Sequence, residues 1–346
     1  MFRKNSISIL SDKKWAEDFL QPRFAKYFPE AKKLIDIEIK VIKTFLDYQR
    51  IIVKYNLVLS GKNGDFKKSI IVKAERKNNS LKPVGTKIDY SINFFLEKNK
   101  LGDIIARPLE YYNPLQAFFC ETIEGECLKQ ISANHQSEKF INFIPMVAEA
   151  VQKIHCLKNK GIIIKNQLWE NRQQKIYLSL IKKHYPFGLK RFKNLILFCR
   201  DFKIKNRKDF SGQDNHLIHG DLHSGNIFTT EQKIKIIDFS EAGVADPLYD
   251  LGYFFIHTEL MFEYDFHQNY QEMIEKVKSL FCQNYFQRQP SDSEKKRISY
   301  YALNNLCHII SYASINEQCQ KKQIKTSDLM EKLIKIGEEK LKKYSQ

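Results

Sequence analysis

Three runs near the start of the chain, IEIKVIKTF (37–45), RIIVKYNLVLS (50–60) and KSIIVKAE (68–75), are rich in β-branched residues. They read as strands of an antiparallel sheet, and GKNGD between the second and third supplies a hairpin turn. From Lys87 to Lys98 the spacing changes: Ile88, Ile92, Phe95 and Leu96 recur at helical intervals, so one helix is expected against that sheet. A loop and the strand-like QAFFCETIEG (116–125) complete a small β-rich portion that a short polar and aromatic leader precedes.

Beyond Gly125 the pattern is helical. Val147, Val151 and Ile154 share one face of a helix predicted from about 144 to 157, with Pro145 suited to its first turn. Further helices are expected near 168–183 and 189–202, and a last one from about Asp328 to Lys343, where Asp328 and Glu331 give a start signal. Between them, His216 to Val244 reads as short strands and turns, with IKIIDFS the clearest strand. Together these elements predict an α+β chain with a small antiparallel sheet carrying one helix, followed by a larger helical portion.

Composition narrows the class. The 346 residues are 43% hydrophobic and 28% charged, enough for a sizeable core in two lobes, and 57 Lys and Arg against 40 Asp and Glu give a net charge of +17. That field favours anionic ligands such as nucleotides. No nucleic-acid-reading motif accompanies it, so no nucleic-acid partner is expected. Seven scattered cysteines without a C-x-x-C pair suggest neither a disulfide framework nor a zinc site, and no stretch is apolar enough for a membrane span. With no apolar leader segment, the cytoplasm is the expected location.

The densest chemical signal is His219-Gly220-Asp221-Leu222-His223-Ser224-Gly225-Asn226, followed twelve residues after Asn226 by Asp238-Phe239-Ser240 at the end of an apolar strand. Phosphoryl transfer requires such a set: one carboxylate to hold the attacking hydroxyl, and a second with an amide oxygen to hold Mg²⁺ on the phosphates. The spacing follows H-x-D-L-x-x-x-N of kinase catalytic loops, with Asp-Phe-Ser where Asp-Phe-Gly is usual. Taken singly, an Asp or Asn here would be a turn or cap residue; the shared spacing favours the chemical reading for Asp221, Asn226 and Asp238.

HGDLHSGNIF and then IIDFSEAGVADPLYDLG resemble the aminoglycoside phosphotransferase and choline kinase superfamily, small-molecule kinases with a protein-kinase-like fold. The resemblance implies a two-lobed fold, with residues 1–119 as the nucleotide-binding lobe, 120–126 as the hinge and 127–346 as the helical lobe. It implies Asp221 as catalytic base, Asn226 and Asp238 as metal ligands, His219 as a brace, Asp250 as a support of the loop, and a structural role for His223. Lys73 fits the strand lysine that reaches the phosphates, with Lys67 and Lys68 as neighbouring rivals. Asp89 stands where a pairing Glu is usual, and Glu97 is the substitute. FFCETIEGECL resembles the hinge, whose backbone at Glu121 and Ile123 would hold the base.

The implied cofactor is Mg²⁺ and the implied donor ATP or GTP, with a small-molecule hydroxyl (aminoglycoside, amino alcohol or sugar) as acceptor; a non-catalytic nucleotide-binding module is the alternative. KTFLDYQRIIV, where a phosphate-covering loop belongs, has no glycine, and its phosphate contacts are unassigned. Glu259, Glu263 and Asp265 are candidates for holding a cationic acceptor, weighed against an ordinary solvated acidic face. Acceptor identity and oligomeric state are not readable from these residues.

Overall fold

The computed structural model describes residues 7–44, 50–76, 85–157, 169–213, 215–230, 233–266, 270–315 and 326–345. The phosphate-covering loop between the first two strands falls largely outside them. The chain divides into two compact units: Met1–Glu126 with Phe228–Ala242, and Cys127–Ile227 with Gly243–Gln346. Segment 228–242, which the sequence assigns to the helical lobe, thus packs with the first unit.

In that unit, α1 (Lys13–Leu20) and α2 (Phe24–Tyr27) precede β1 (Ala31–Thr44), β2 (Arg50–Gly61) and β3 (Gly64–Glu75). The helix α3 (Gly85–Lys98) leads to β4 (Pro108–Tyr112) and β5 (Ala117–Glu121). The five strands form one antiparallel sheet in the order β1-β2-β3-β5-β4. Alternation sorts its side chains onto two faces. Val53, Tyr55, Leu57, Ile70, Val72 and Phe119 point one way into a single core, while Ile71, Phe118 and Cys120 belong to a second cluster with Tyr90 of α3.

The leader fills much of the first core. Leu10, Phe19, Leu20, Phe24 and Phe28 are buried in it, Phe19 stacks on Phe119 at 4.8 Å, and the Tyr55 hydroxyl donates to the Leu10 carbonyl at 2.7 Å. Asp12 caps α1 by accepting from the Trp15 amide, which turns Ala16, Phe19 and Leu20 to one face. At eight residues, α1 is too short for its period to stand out in sequence.

Two strand boundaries differ from expectation for physical reasons. β1 begins at Ala31, six residues before the predicted start, because register shifts at Ala31/Lys33 and Leu34/Asp36 put its buried residues Ala31, Leu34 and Ile37 three apart. β4, read as loop, opens on Pro108 and lies at the sheet edge, where a proline is tolerated.

The second unit is mainly helical. After the two-residue strand β6 (Glu126–Cys127) come α4 (Leu128–Ala133), α5 (Ser137–His155), α6 (Trp169–His184), α7 (Leu189–Lys205) and α8 (Arg207–Phe210). The short strands β7 (His216–Ile218) and β10 (Gly243–Ala245) interrupt and pair with each other, whereas β8 (Ile227–Thr229) and β9 (Ile234–Ile236), also neighbours in a sheet, fall almost wholly in the first unit. Helices α9 (Leu248–Phe266), α10 (Tyr270–Phe286), α11 (Asp292–Ala313) and α12 (Thr326–Ser345) complete the second unit. Pro145 lies inside α5, not in its first turn, because the helix already starts at Ser137. Its missing N–H costs the helix one backbone bond there, while Ile144, Val147, Ala148 and Val151 are all buried around it.

The architecture is the two-lobed, kinase-like α+β fold expected from the chain. If the leader is part of the sheet's core, Leu20→Ala should lower unfolding free energy by about 2–5 kcal/mol. Urea titration followed by fluorescence measures this, and a loss under about 0.5 kcal/mol, typical of surface sites, would contradict it.

Candidate active site

β3 and α3 bring the first set of side chains together. Lys73 shares its strand face with Ile71 by the two-residue period, and its ammonium lies 2.9 Å from Asp89 Oδ2 on α3 and 3.4 Å from Asp238 Oδ1. Burial works against the charge on Lys73, but the Asp89 and Asp238 carboxylates outweigh it and hold the ammonium above the ordinary lysine range. Asp89 is 1% exposed, and its Oδ1 accepts from the Phe239 amide at 3.0 Å and the Asn93 side chain at 2.8 Å. The aspartate standing in for glutamate therefore makes a direct ion pair, and neither Glu97, Lys67 nor Lys68 takes part in it.

Asp238 follows β9 and adopts a left-handed backbone, φ 67° and ψ 61°. An aspartate tolerates this region better than most residues, yet the conformation carries strain. It turns successive side chains apart: Phe239 is fully buried, whereas the Asp238 side chain keeps 39% exposure.

The segment after β5 is tied down on both sides. The Glu121 amide donates to the Arg107 carbonyl and the Thr122 amide to the Ser69 carbonyl, both at 3.0 Å. Ile123 packs in the small cluster with Ile71, Cys120 and Ile237, an apolar shelf beside the Glu121 and Ile123 backbone. Burial pushes the Cys120 thiol up to about 12, so this cysteine is a packing residue and not a nucleophile. Gly125 is required here, since a Cβ would lie 2.2 Å from the Thr229 carbonyl oxygen.

In the second unit, the loop His219–Asn226 is organised by Asp250, in the first turn of α9. Asp250 is fully buried and accepts from the His219 amide at 2.7 Å and the Gly220 amide at 2.9 Å, and it lies 2.9 Å from His155 Nε2. Gly220, at φ +81°, allows the two amides to converge. Burial alone would push the Asp250 carboxyl up; the hydrogen bond and charge of His155, the charge of His219 and the His219 amide outweigh it and hold the carboxyl below its ordinary range. His155 is set in turn by the Tyr285 hydroxyl at 2.7 Å. Asp246, preceding α9, accepts from Arg297, Tyr301 and the Leu248 amide, which anchors the start of the helix.

Asp221 emerges from this loop half-buried. Its Oδ1 accepts from the Tyr253 hydroxyl at 2.6 Å and its Oδ2 from Asn226 Nδ2 at 3.3 Å, and its amide donates to His219 Nδ1 at 3.2 Å. Asn226 also donates to the Asp221 carbonyl at 3.0 Å. Its amide nitrogen is thus engaged, and the amide oxygen is the atom suited to a hard cation. Asp238 supplies a half-exposed carboxylate of the same class. Both fit Mg²⁺, which takes one or two protein oxygens together with phosphates and water.

His223 accepts from the Gly225 amide at 3.0 Å and stacks on His257, and its Nε2 lies 3.7 Å from Asp221 Oδ2. Tyr253 and His257 carry no motif and were not singled out from sequence. They follow Asp250 by three and seven positions, the spacing of one helix face, and that is the signal that would have found them. Burial keeps the Tyr253 hydroxyl protonated well above its usual range, with Asp221 adding to the effect, and burial likewise keeps His257 neutral.

The acidic residues proposed for a cationic acceptor are committed elsewhere. Glu259 is held by Lys340 at 2.7 and 2.8 Å and lies 3.7 Å from Lys278, Glu263 lies 3.1 Å from Lys332, and Asp265 accepts from Ser132. They form neither an acceptor cluster nor a merely solvated face.

Comparison with known proteins bears on the fold. Residues 196–277, which carry the loop, Asp238 and Asp250, match the model of the phosphotransferase enzyme family. No curated protein sequence matches the chain. Among solved structures, a choline kinase from Cryptosporidium parvum is similar at 13% identity and TM-score 0.61, over 96% of each chain. Amicoumacin kinase hAmiN in complex with AMP-PNP and Ca²⁺ gives 15% identity and 0.59, over 95% of this chain and 96% of that one. The streptomycin–ATP complex of APH(2")-IIa gives 16% and 0.53, over 92% and 96%.

A carboxyl held below its ordinary range in the fold stabilises the protein above its unfolded pKa, and that contribution is lost as pH falls through the folded value. Asp250→Asn should cost about 2–3 kcal/mol at pH 7 and less at pH 3. Denaturant titrations at the two pH values measure this, and equal losses would count against the charged role.

Proposed function

We propose that this chain, whose resemblance to the aminoglycoside phosphotransferase and choline kinase superfamily extends to its fold, transfers the γ-phosphoryl group of ATP to a hydroxyl of a small molecule. The observation that carries the reading is the Asp221 loop. Two backbone amides anchored on Asp250 set a half-buried carboxylate whose oxygens are steadied by Tyr253 and Asn226, leaving it able to accept one more proton.

In this reading Asp221 orients the acceptor hydroxyl and takes its proton as the oxygen bonds to the γ-phosphorus and the bond to the β-phosphate oxygen breaks. The Tyr253 hydroxyl donates to the Asp221 carboxylate and fixes its orientation. Lys73, oriented by Asp89, pairs with the phosphates, and the backbone of Glu121 and Ile123 holds the base over the apolar shelf. Asn226 and Asp238 would hold Mg²⁺, which would supply charge neutralisation on the phosphates. AMP-PNP and ATP in the similar kinases support ATP as donor; nothing comparable supports GTP.

The acceptor is a hydroxyl compound that does not depend on Glu259, Glu263 or Asp265 for recognition, since all three are already paired. That favours neutral or anionic acceptors over polycationic ones.

Release of ADP from Mg-ATP with pooled acceptors, run beside Asp221→Asn, tests the function. Turnover in one pool, reduced about 10²–10⁴-fold by the substitution with ATP binding retained, is expected. ATP binding without turnover in any pool would favour a non-catalytic nucleotide-binding module. Tyr253→Phe separates the supporting role: loss of its hydrogen bond to Asp221 should lower kcat about tenfold with ATP binding retained. An unchanged kcat would remove Tyr253 from the reading.

A further inference from the structure

The first unit contains a cavity of about 390 Å³ whose lysines the proposed chemistry does not use. Its walls include Lys67 and Lys68 at the start of β3, Arg107 before β4, Lys235 on β9, and the backbone stretch Glu121–Glu124. Lys73, Asp89 and Asp238, the side chains assigned to the phosphates and metal, do not line it, whereas Glu121 and Ile123, assigned to the base, do.

Its charge is unbalanced. Four cationic side chains, Lys67, Lys68, Arg107 and Lys235, line it against two carboxylates, Glu121 and Glu124. Arg107 Nε lies 3.0 Å from Glu121, and Lys68 Nζ lies 3.9 Å from the same carboxylate and 3.8 Å from Glu30 outside the cavity. Arg107 is further steadied by the Tyr27 carbonyl at 2.7 Å, which holds its guanidinium at this wall.

Lys235 is the most informative member. Its ammonium donates to the Gly102 carbonyl at 3.1 Å and the Ile105 carbonyl at 2.9 Å, and among the described residues no carboxylate forms an ion pair with it. Burial lowers its pKa from the ordinary lysine value, the mark of a cation whose surroundings do not fully compensate its charge. Thr122, in the same wall, has a buried hydroxyl without a hydrogen-bond partner among the described residues. A partly buried ammonium bonded only to two carbonyls, whose burial the charges of Asp103 and Glu121 do not offset, with further cations beside it, is completed by an anion.

We propose that this cavity binds a small molecule bearing a phosphate group, held by Lys235 together with Lys67 and Lys68. The volume suits a compact metabolite and exceeds what the phosphate group itself requires. One wall is the backbone of Glu121–Ile123, the stretch read above as holding the base. On that reading, occupancy changes the affinity for ATP, and ATP changes the affinity of the cavity by the same factor.

Isothermal titration of the full chain with inorganic phosphate and with glucose 6-phosphate as probes tests the site. Saturable binding is expected in the wild type, weakened about tenfold or more by Lys235→Met and by Lys67→Ala combined with Lys68→Ala, and retained in Lys73→Met. Tighter binding of the sugar phosphate identifies a phosphorylated metabolite as the ligand, and equal binding identifies free phosphate. The site is overturned if neither probe saturates by about 10 mM, or if binding survives the Lys67/Lys68 double substitution but is lost in Lys73→Met. Those two lysines lie at the surface end of β3, so their removal tests the site even if Lys235→Met fails to fold. ATP affinity measured with and without saturating probe should differ in the wild type and not in the double variant; equal wild-type values would overturn the coupling and, because binding of the probe is read independently of turnover, would leave the phosphotransferase reading untouched.

Discussion

The Asp250 carboxylate is wholly removed from water and receives hydrogen bonds from the loop it supports and from His155 of α5. An isolated carboxylate in such a place would be protonated or would disrupt the fold. Here three partners offset the burial, and each fixes something else. The two amides determine the path of the chain into Asp221, and His155 links the carboxylate to Tyr285 on α10. The position of a half-exposed aspartate therefore depends on how α5, α9 and α10 pack, and core substitutions along those helices are felt at the loop.

The other unit solves a similar problem with opposite charges. Lys73 is buried between two carboxylates, one of which, Asp89, is fully engaged by an ammonium, a backbone amide and Asn93. The second, Asp238, keeps its side chain 39% exposed because the left-handed turn sends Phe239 into the core and leaves the aspartate outside it. The strain at Asp238 and the burial of Phe239 are two sides of one conformation. Asp89 couples them, since the same carboxylate orients Lys73 and holds the Phe239 amide.

Much of this was legible in the residues. The alternation of β2 and β3, the helical period of α3 and the spacing from His219 to Asp238 gave the fold class and the site residues, because each depends on local periods or on a loop whose spacing is dictated by geometry. What escaped reading depends on contacts distant in sequence or on interrupted periods. The bulges of β1 turned a two-residue period into a three-residue one, and the edge position that admits Pro108 is invisible before the sheet order is known. Pro145 was placed at a helix start because prolines usually are. Tyr253 and His257 matter through their helix face, which becomes informative only once Asp250 is known to point at the loop. The pairing of Glu259 with Lys340, eighty-one positions away, has no local signature at all.

The aromatic leader has a consequence for how the chain is made. Residues from Leu10 to Phe28 leave the ribosome well before their partners: Tyr55 for Leu10, Glu110 for Tyr27 and Phe119 for Phe19. During synthesis this apolar segment waits in water until β5 has emerged, exposed to chaperones and to other nascent chains. Closure of the first core is then a late, long-range event in vectorial folding, and a fusion partner placed ahead of the leader would act on that waiting period more than on the finished protein.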